Sequence, residues 1–365
     1  MSFQLPTYTP PDFTLPPLAG APNASTALVE LDGVAPDGFH STSMYPEYVK
    51  LQGHWHLVEE TRMDCCVVVG EGGDLEVLEN RHLRRGHRVV LGRSEDGSQG
   101  VYVHTRGFAC CKKGESAGDR FAFRGGRSRE TAFSRDYDQL YSLLRYEREN
   151  GGKVLWVMGP AFTFDADARR AMERLVDNGY VQGLLAGNAL ATHDLEASYF
   201  GTALGQDIYT QRTQPNGHYH HLDVINEVRR CGSIPAFLEK HQIHDGIMAS
   251  IVRQKVPFVL TGSIRDDGPL PEVIGDVYQG QDAMRQLVRK ATTIVCMATQ
   301  LHTIATGNMT PSFRVVNGVV RPLYLYTVDI SEFVVNKLAD RGSLSAISFV
   351  TNAQDFIVHV ANNLC

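Results

Sequence analysis

From Lys153 onward, continuous apolar runs alternate with amphipathic stretches. The runs are "KVLWVMGP", "YVQGLLAGN", "VPFVLTGS", "TTIVCMAT", "LYLYTVD" and "SAISFVT". None alternates apolar with polar, which is the pattern of a strand buried on both faces. Between them lie helical stretches such as "DADARRAMERLVDNG", with Asp at its start and Gly at its end. The alternation predicts an α/β domain over 136–365. Its core is a parallel, doubly wound sheet of about six strands with helices on both faces. "SRDYDQLYSLLRYEREN" leads in as an amphipathic helix, with Tyr137, Leu140, Tyr141 and Leu144 on one side and Gly151-Gly152 as its stop.

Upstream the period changes. "YVKLQGHWHLVEE", "DCCVVVGE", "HRVVLGR" and "GVYVHTR" are short strand-like segments separated by Gly-rich turns. They predict a small β-rich domain over 39–135, ending in a charged, Gly-rich loop at 112–135. Residues 1–38 carry little pattern, and their prolines predict an extended arm.

Composition narrows the function. Of 365 residues, 43% are apolar and 21% charged, as in an ordinary globular protein. A net charge of -6 offers no basic footprint for nucleic acid. No run reaches the roughly 20 apolar residues of a membrane helix. The N-terminus has no basic region followed by an apolar core, so a secretory signal is not expected. The seven cysteines form no C-x-x-C, which argues against a zinc ribbon and for a cytoplasmic protein with reduced thiols. Cys296, inside an apolar run, reads as an inert core thiol.

In an open α/β sheet, ligands bind beyond the carboxyl ends of the strands. The segments there are Gly159-Pro160, Gly187–Asp194, Gly262–Pro269, Ala298–Asn308, Val328–Ser331 and Val350–Asp355. They are rich in Gly, Ser, Thr, Asn and Asp, which suits phosphates at helix starts. Asp329 ends "LYLYTVD", where an acid can bind a ribose diol or cap the next helix. No G-x-G-x-x-G follows a strand, and no Walker loop is present. His218, His220 and His221 precede a helix in "NGHYHHLDVINEVRRCG" and are candidate bases or carboxylate binders. His193 and Asp194 form a pair suited to orienting a base.

Taken in order, "GPAFTF", "VQGLLAGNALATHDLEASYFGTALG", "GHYHHLDVINEVRRCGSI", "PFVLTGSIRDDGPLPEVIGDVYQGQDAMR", "ATQLHTIATGNMTPS" and "VDISEFVVNKLADRGS" resemble the archaeal-type ornithine cyclodeaminase family. That family also supplies the carboxy-terminal part of cyanobacterial bifunctional arginine dihydrolase/ornithine cyclodeaminases. "HSTSMYPEYVKLQGHWHLVEETRMDCCVVV" resembles its preceding β module, so the resemblance spans about 39–365. It implies a deoxyhypusine-synthase-like fold that binds NAD without the usual glycine fingerprint. It also favours the ribose reading of Asp329 over the cap.

The activity implied is cyclodeamination of ornithine, or a related diamino acid, to proline and ammonia. Hydride abstraction, intramolecular amine attack and hydride return would leave NAD unchanged, as a catalytic cofactor. A homo-oligomer is implied as well, and from the spacing around His218–His221 no metal is expected. The catalytic groups expected are His218, His220, His221, Asp194 and Asp266. NAD is expected on Asn188, Ala189, Gly262, Ser263, Asp267, Gly268, Asn308, Asp329 and Thr351. The substrate is expected on Arg265, Tyr45 and His193. Met44 stands where the family usually has a polar residue, and Tyr219 and Asp223 where basic residues are usual, so the substrate can differ. A net NAD-dependent amino-acid or imine oxidoreductase, and a non-catalytic NAD-binding module, are the alternatives.

Overall fold

The computed structural model describes residues 3–108, 134–266, 268–331 and 346–365. Most of the loop expected at 112–135, together with Asp267 and the stretch "EFVVNKLADRGSL", lies outside the described residues.

The N-terminal part holds two small antiparallel sheets. Their strands are β1 (Thr26–Leu28), β2 (Glu47–Leu51), β3 (His54–Leu57), β4 (Cys66–Val69), β5 (Leu75–Leu78), β6 (Arg88–Val90) and β7 (Val101–Val103). One sheet runs β1-β6-β4-β5 and the other β3-β2-β7. The stretch expected as an extended arm is laid onto this module. Its β1 pairs with β6, and Tyr8 bridges Phe108 and bonds the Tyr48 hydroxyl at 2.8 Å.

The strands that follow are β8 (Val154–Met158), β9 (Gly183–Gly187), β10 (Thr202–Ala203), β11 (Gln206–Asp207), β12 (Phe258–Thr261), β13 (Val273–Ile274), β14 (Thr293–Met297), β15 (Phe313–Val316), β16 (Val319–Pro322), β17 (Tyr324–Asp329) and β18 (Ala346–Val350). The helices are α1 (Ser134–Glu149), α2 (Ala166–Asp177), α3 (Asn188–Phe200), α4 (His220–Cys231), α5 (Ile234–Lys240), α6 (Ile247–Arg253), α7 (Val277–Val288), α8 (Gln300–Asn308) and α9 (Ala353–Leu364).

The large sheet has the order β13-β12-β9-β8-β14-β17-β18, with every pair parallel. Leaving out β13, chain order reads 3-2-1-4-5-6 across it, the doubly wound arrangement. The apolar runs are continuous because each strand feeds two cores. In β8, Val154, Trp156 and Met158 face the cluster built with α1–α6 and α9, while Leu155 and Val157 face the cluster with α7. Each such fully buried side chain contributes about 1.5–3 kcal/mol.

Buried charges tie the layers. Glu147 at the end of α1 accepts two bonds from Arg321 of β16 and one from Thr293 Oγ1 of β14 at 2.8 Å. The β module docks through Arg81, which meets Asp282 of α7 at 2.6 Å, and through the Met44 carbonyl, which accepts Ser312 N and Oγ at 2.8 Å each. Met44 is buried, so its backbone makes this contact where the family resemblance expects a polar side chain.

Candidate active site

The strand order reverses between β8 and β14, and there the two backbones nearly touch. Gly159 N donates to Met297 O at 3.0 Å. A Cβ on Gly159 would lie 1.9 Å from the Ala298 carbonyl oxygen, so only glycine fits. Beside this point lies a cavity of about 300 Å³, lined by Ala161, Ala298, Gln300, Asp329, Asn352 and Gln354, among others. The amino ends of α8 and α9 open on it, presenting backbone N–H groups and the positive ends of two helix dipoles. Asn352 caps α9 by accepting Gln354 N at 2.8 Å, and Gln354 Nε2 reaches Ala161 O at 2.8 Å.

Asp329 closes β17 at this cavity. Its Oδ1 accepts Ser331 N at 2.8 Å, and Thr351 N donates to its backbone carbonyl at 3.1 Å. Asp329 and Thr351 are thus neighbours. Asn308 is at the far end of α8, about 12 Å along the helix from Gln300.

A second group gathers beyond β9 and β12. Asn188 opens α3, and its Oδ1 accepts Leu270 N at 3.0 Å, which fixes the end of the loop 262–270. Ala189 follows in the first turn of α3. Gly262 N donates to Ile274 O at 2.9 Å. Asp266 folds back to accept Ser263 N at 2.8 Å, so it shapes the turn that carries the exposed Arg265. Gly268 has φ 131°, a value that favours glycine. His302 of α8 faces this loop, its Nε2 2.7 Å from Thr261 Oγ1. Burial lowers the His302 pKa, with nearby Asp266 opposing.

The third group is a bonded chain of side chains. Glu196 of α3 is fully buried and accepts four bonds: Thr202 Oγ1 at 2.9 Å, Gly205 N at 2.9 Å, Leu204 N at 3.1 Å and His193 Nδ1 at 2.8 Å. Burial alone would raise its pKa, but the bonds from His193, Gly205 and Thr202 outweigh it and hold the carboxyl below its ordinary range. Thr202 Oγ1 also lies 2.8 Å from His220 Nδ1. Since the Thr202 hydroxyl donates to Glu196, it accepts from His220. Both His193 and His220 therefore carry hydrogen on Nδ1, and Nε2 of each is the basic nitrogen when the ring is neutral.

The His193 ring lies 5.5 Å from Phe164, in the turn Pro160–Phe164 that leaves β8, and 6.0 Å from the His221 ring. His221 Nδ1 is buried without a hydrogen-bond partner among the described residues. His220 stacks on Phe200 at 4.5 Å. His218 is exposed, against the ring of Tyr219. Tyr219 and Asp223 are exposed beside it at the start of α4.

One expected pairing is absent. Asp194 does not orient His193. It is buried against Arg169 Nε at 2.7 Å and accepts Ile247 N at 3.1 Å and Met248 N at 2.7 Å. All of this is framework bonding at the start of α6. Tyr45 follows Met44, whose carbonyl docks on Ser312, and its N–H lies on Ser43 Oγ at 3.1 Å. Glu196, Thr202 and His302 lie within these groups and were not singled out from sequence. Among the described residues, Glu227, Cys231 and His241 also cluster, but Lys240 and Arg230 already pair with the Glu227 carboxylate.

Residues 138–360 match the sequence model of the family described as arginine dihydrolase ArgZ-like, C-terminal, Rossmann fold. Residues 46–126 match that of the first region of the same C-terminal part. The chain belongs to the ArgZ-like family. It is 37% identical over 342 residues to an ornithine cyclodeaminase of Methanocaldococcus jannaschii, covering 92% of this chain and 76% of that one. Among solved structures it is similar to a conserved LOR/SDH protein from Methanococcus maripaludis S2. That pair has a TM-score of 0.83 and 34% identity, covering 94% of this chain and 98% of the other. It is also similar to AgrE in a ternary complex with ornithine and NAD+. There the TM-score is 0.59 and the identity 33%, covering 96% of this chain and 46% of that one. The ArgZ-like match spans both the β module and the sheet that bears the three groups of residues above. Among the described residues, no helix is long and apolar enough to cross a membrane.

Proposed function

We propose that this ArgZ-like chain is an NAD-using enzyme that cyclodeaminates ornithine, or a related diamino acid, to proline and ammonia. The observation that carries the reading is the crevice at the sheet's reversal point. It joins an acidic strand end, Asp329, to two helix amino ends around one cavity, in a chain similar to AgrE with ornithine and NAD+.

The residues present fit the dinucleotide. The amino ends of α8 and α9 suit its phosphates, Asp329 suits a ribose diol, and the close approach at Gly159 leaves backbone facing the ligand. NAD, when bound, supplies an acceptor for the α-hydrogen and its electron pair and returns both within one turnover. The protein does the proton work. Nε2 of His220 or His193 takes a proton from a substrate amine, with Nδ1–H anchored through Thr202 and Glu196. His221 lies beside His193 and is a third candidate base. Arg265 offers a guanidinium fork to the substrate carboxylate. Asp266 holds the loop that carries it.

The test is purification followed by release of bound nucleotide and assay against ornithine, lysine, 2,4-diaminobutyrate and arginine. Turnover on a diamino acid with NAD retained supports the reading, and NAD binding without turnover on any of them refutes it. Asp329→Ala removes charge-assisted bonds worth about 1.5–3 kcal/mol. The Kd for NAD should then rise roughly 10- to 150-fold by titration. An unchanged Kd removes Asp329 from the cofactor site.

A homo-oligomer belongs to the same proposal. Ile264, Val277, Tyr278, Leu301 and Ile330 are exposed apolar side chains, all at or just beyond the carboxyl end of the sheet. Large apolar groups grouped at one end suit coverage by a second copy. Light scattering should give a multiple of 40.4 kDa, and a monomer across micromolar concentrations contradicts it.

A further inference from the structure

The seam between the β module and α7 holds several buried donors that lack a hydrogen-bond partner among the described residues. Arg285, in the last turns of α7, is 8% exposed, and its guanidinium has no hydrogen-bond or ion-pair partner among the described residues. Thr61 Oγ1, Arg62 Nε and Arg289 Nε are buried there, also without a hydrogen-bond partner among the described residues. Thr61, Arg285, Arg289 and Arg314 line a cavity of about 20 Å³ together with Met309 and Phe313, and the carboxylates of Glu59 and Glu60 stand at its exposed rim. Burial, and then Arg289 and Arg62, push the Arg285 pKa down to about 10.

Among the described residues no neighbouring acid bonds Arg285, and Glu79 offsets its charge only from a distance. Glu79 is taken by Arg62 and Arg81, and Asp282 by Arg81 and His82. Glu60 lies 3.2 Å from Arg289 Nε and is more than half exposed, and Glu59 lies beside it on the exposed rim. A buried guanidinium facing other cations, with no carboxylate bonded to it, is a costly arrangement that proteins relieve with a counter-ion.

We propose that this seam is a binding site for a single monatomic anion, a halide such as chloride, held between Arg285, Arg289 and the Thr61 hydroxyl. Size selects the class. One water needs about 10–15 Å³, so this cavity takes one small species and excludes a phosphate or a carboxylate metabolite. Lining by Met309, Phe313 and Val288 favours a weakly hydrated ion.

The site is separate from the crevice. α7 runs back from the carboxyl ends of the strands, and Arg285 is eight residues along it, about 12 Å from its start. The anion therefore acts on docking. Arg314 lies two residues from Ser312, which holds the Met44 carbonyl, so occupancy helps seat the β module against the α/β domain.

The test uses the full chain. Crystals soaked in sodium bromide should show an anomalous peak within hydrogen-bonding reach of Arg285 and Thr61. In solution, wild-type Tm should be about 2–4 °C higher in chloride than in gluconate at equal ionic strength. Arg285→Met, which removes the unpaired charge, should lose that difference and be no less stable in gluconate. Thr61→Val, which keeps every charge, should reduce it. An ordered water in place of a bromide peak, equal Tm in the two salts, or a chloride response that survives in both variants overturns the proposal.

Discussion

Glu196→Gln is expected to lower turnover by about 10²- to 10⁴-fold, the range of general acid–base catalysis, while leaving the Kd for NAD within a few-fold of wild type. Among the described residues, Glu196 neither lines the cavity at Asp329 nor bonds loop 262–270. It accepts four donors from three segments and positions the histidines. Glutamine replaces one acceptor oxygen with an NH₂, which then faces a donor: His193 Nδ1–H and Leu204 N on one side, or Thr202 and Gly205 N on the other. Each donor left unsatisfied costs about 1–3 kcal/mol. A nitrogen NMR spectrum separates positioning from unfolding. Wild type should show Nδ1–H tautomers for His193 and His220, and the folded variant a loss of that preference. Full turnover in folded Glu196→Gln contradicts the assignment. The pH sense follows from the lowered carboxyl. The stabilisation by ionised Glu196 is complete above its ordinary 4.5 and is lost as pH falls below that through the folded value.

The second large effect is on stability. Asp194→Ala should cost about 3–5 kcal/mol, because it strands Arg169 in the core. Asp245 and Ser198 remain as partners of Arg169, but Asp245 is exposed and cannot replace a buried counter-charge. Ile247 N and Met248 N lose their acceptor as well, so α6 loses its anchored start. Urea denaturation should show a lower midpoint with an unchanged slope. A loss below about 1 kcal/mol places the pair among weak surface bridges and contradicts this account. A stable variant with turnover reduced by orders of magnitude would return Asp194 to the catalytic role read from sequence.

What was legible in the sequence followed local physics. "KVLWVMGP" and "TTIVCMAT" read as doubly buried strands because successive side chains enter opposite cores, as Trp156 and Val157 do. "VVNGVV" carried an unread signal. Asn317 and Gly318, both with positive φ, turn β15 into β16 with Val316 opposite Val319. β1 escaped notice because its three residues gain a strand's hydrogen bonds only from β6, some sixty positions later.

The candidate site divides the same way. Its strand-end loops were readable from topology. Pairing His193 with Asp194 was not sound on a helix, where residues three apart share a face and adjacent ones do not. His193 and Glu196 have that spacing and do bond. Thr202 and His302 join the site through contacts that no sequence period encodes, one with His220 and one with Thr261.

The most direct test of the central claim is a single reaction of the purified chain with ornithine and NAD, following product and reduced nicotinamide together. The account predicts proline and ammonia in equal amounts while reduced nicotinamide does not accumulate. Reduced nicotinamide rising in step with product would contradict it and make the chain a net oxidoreductase.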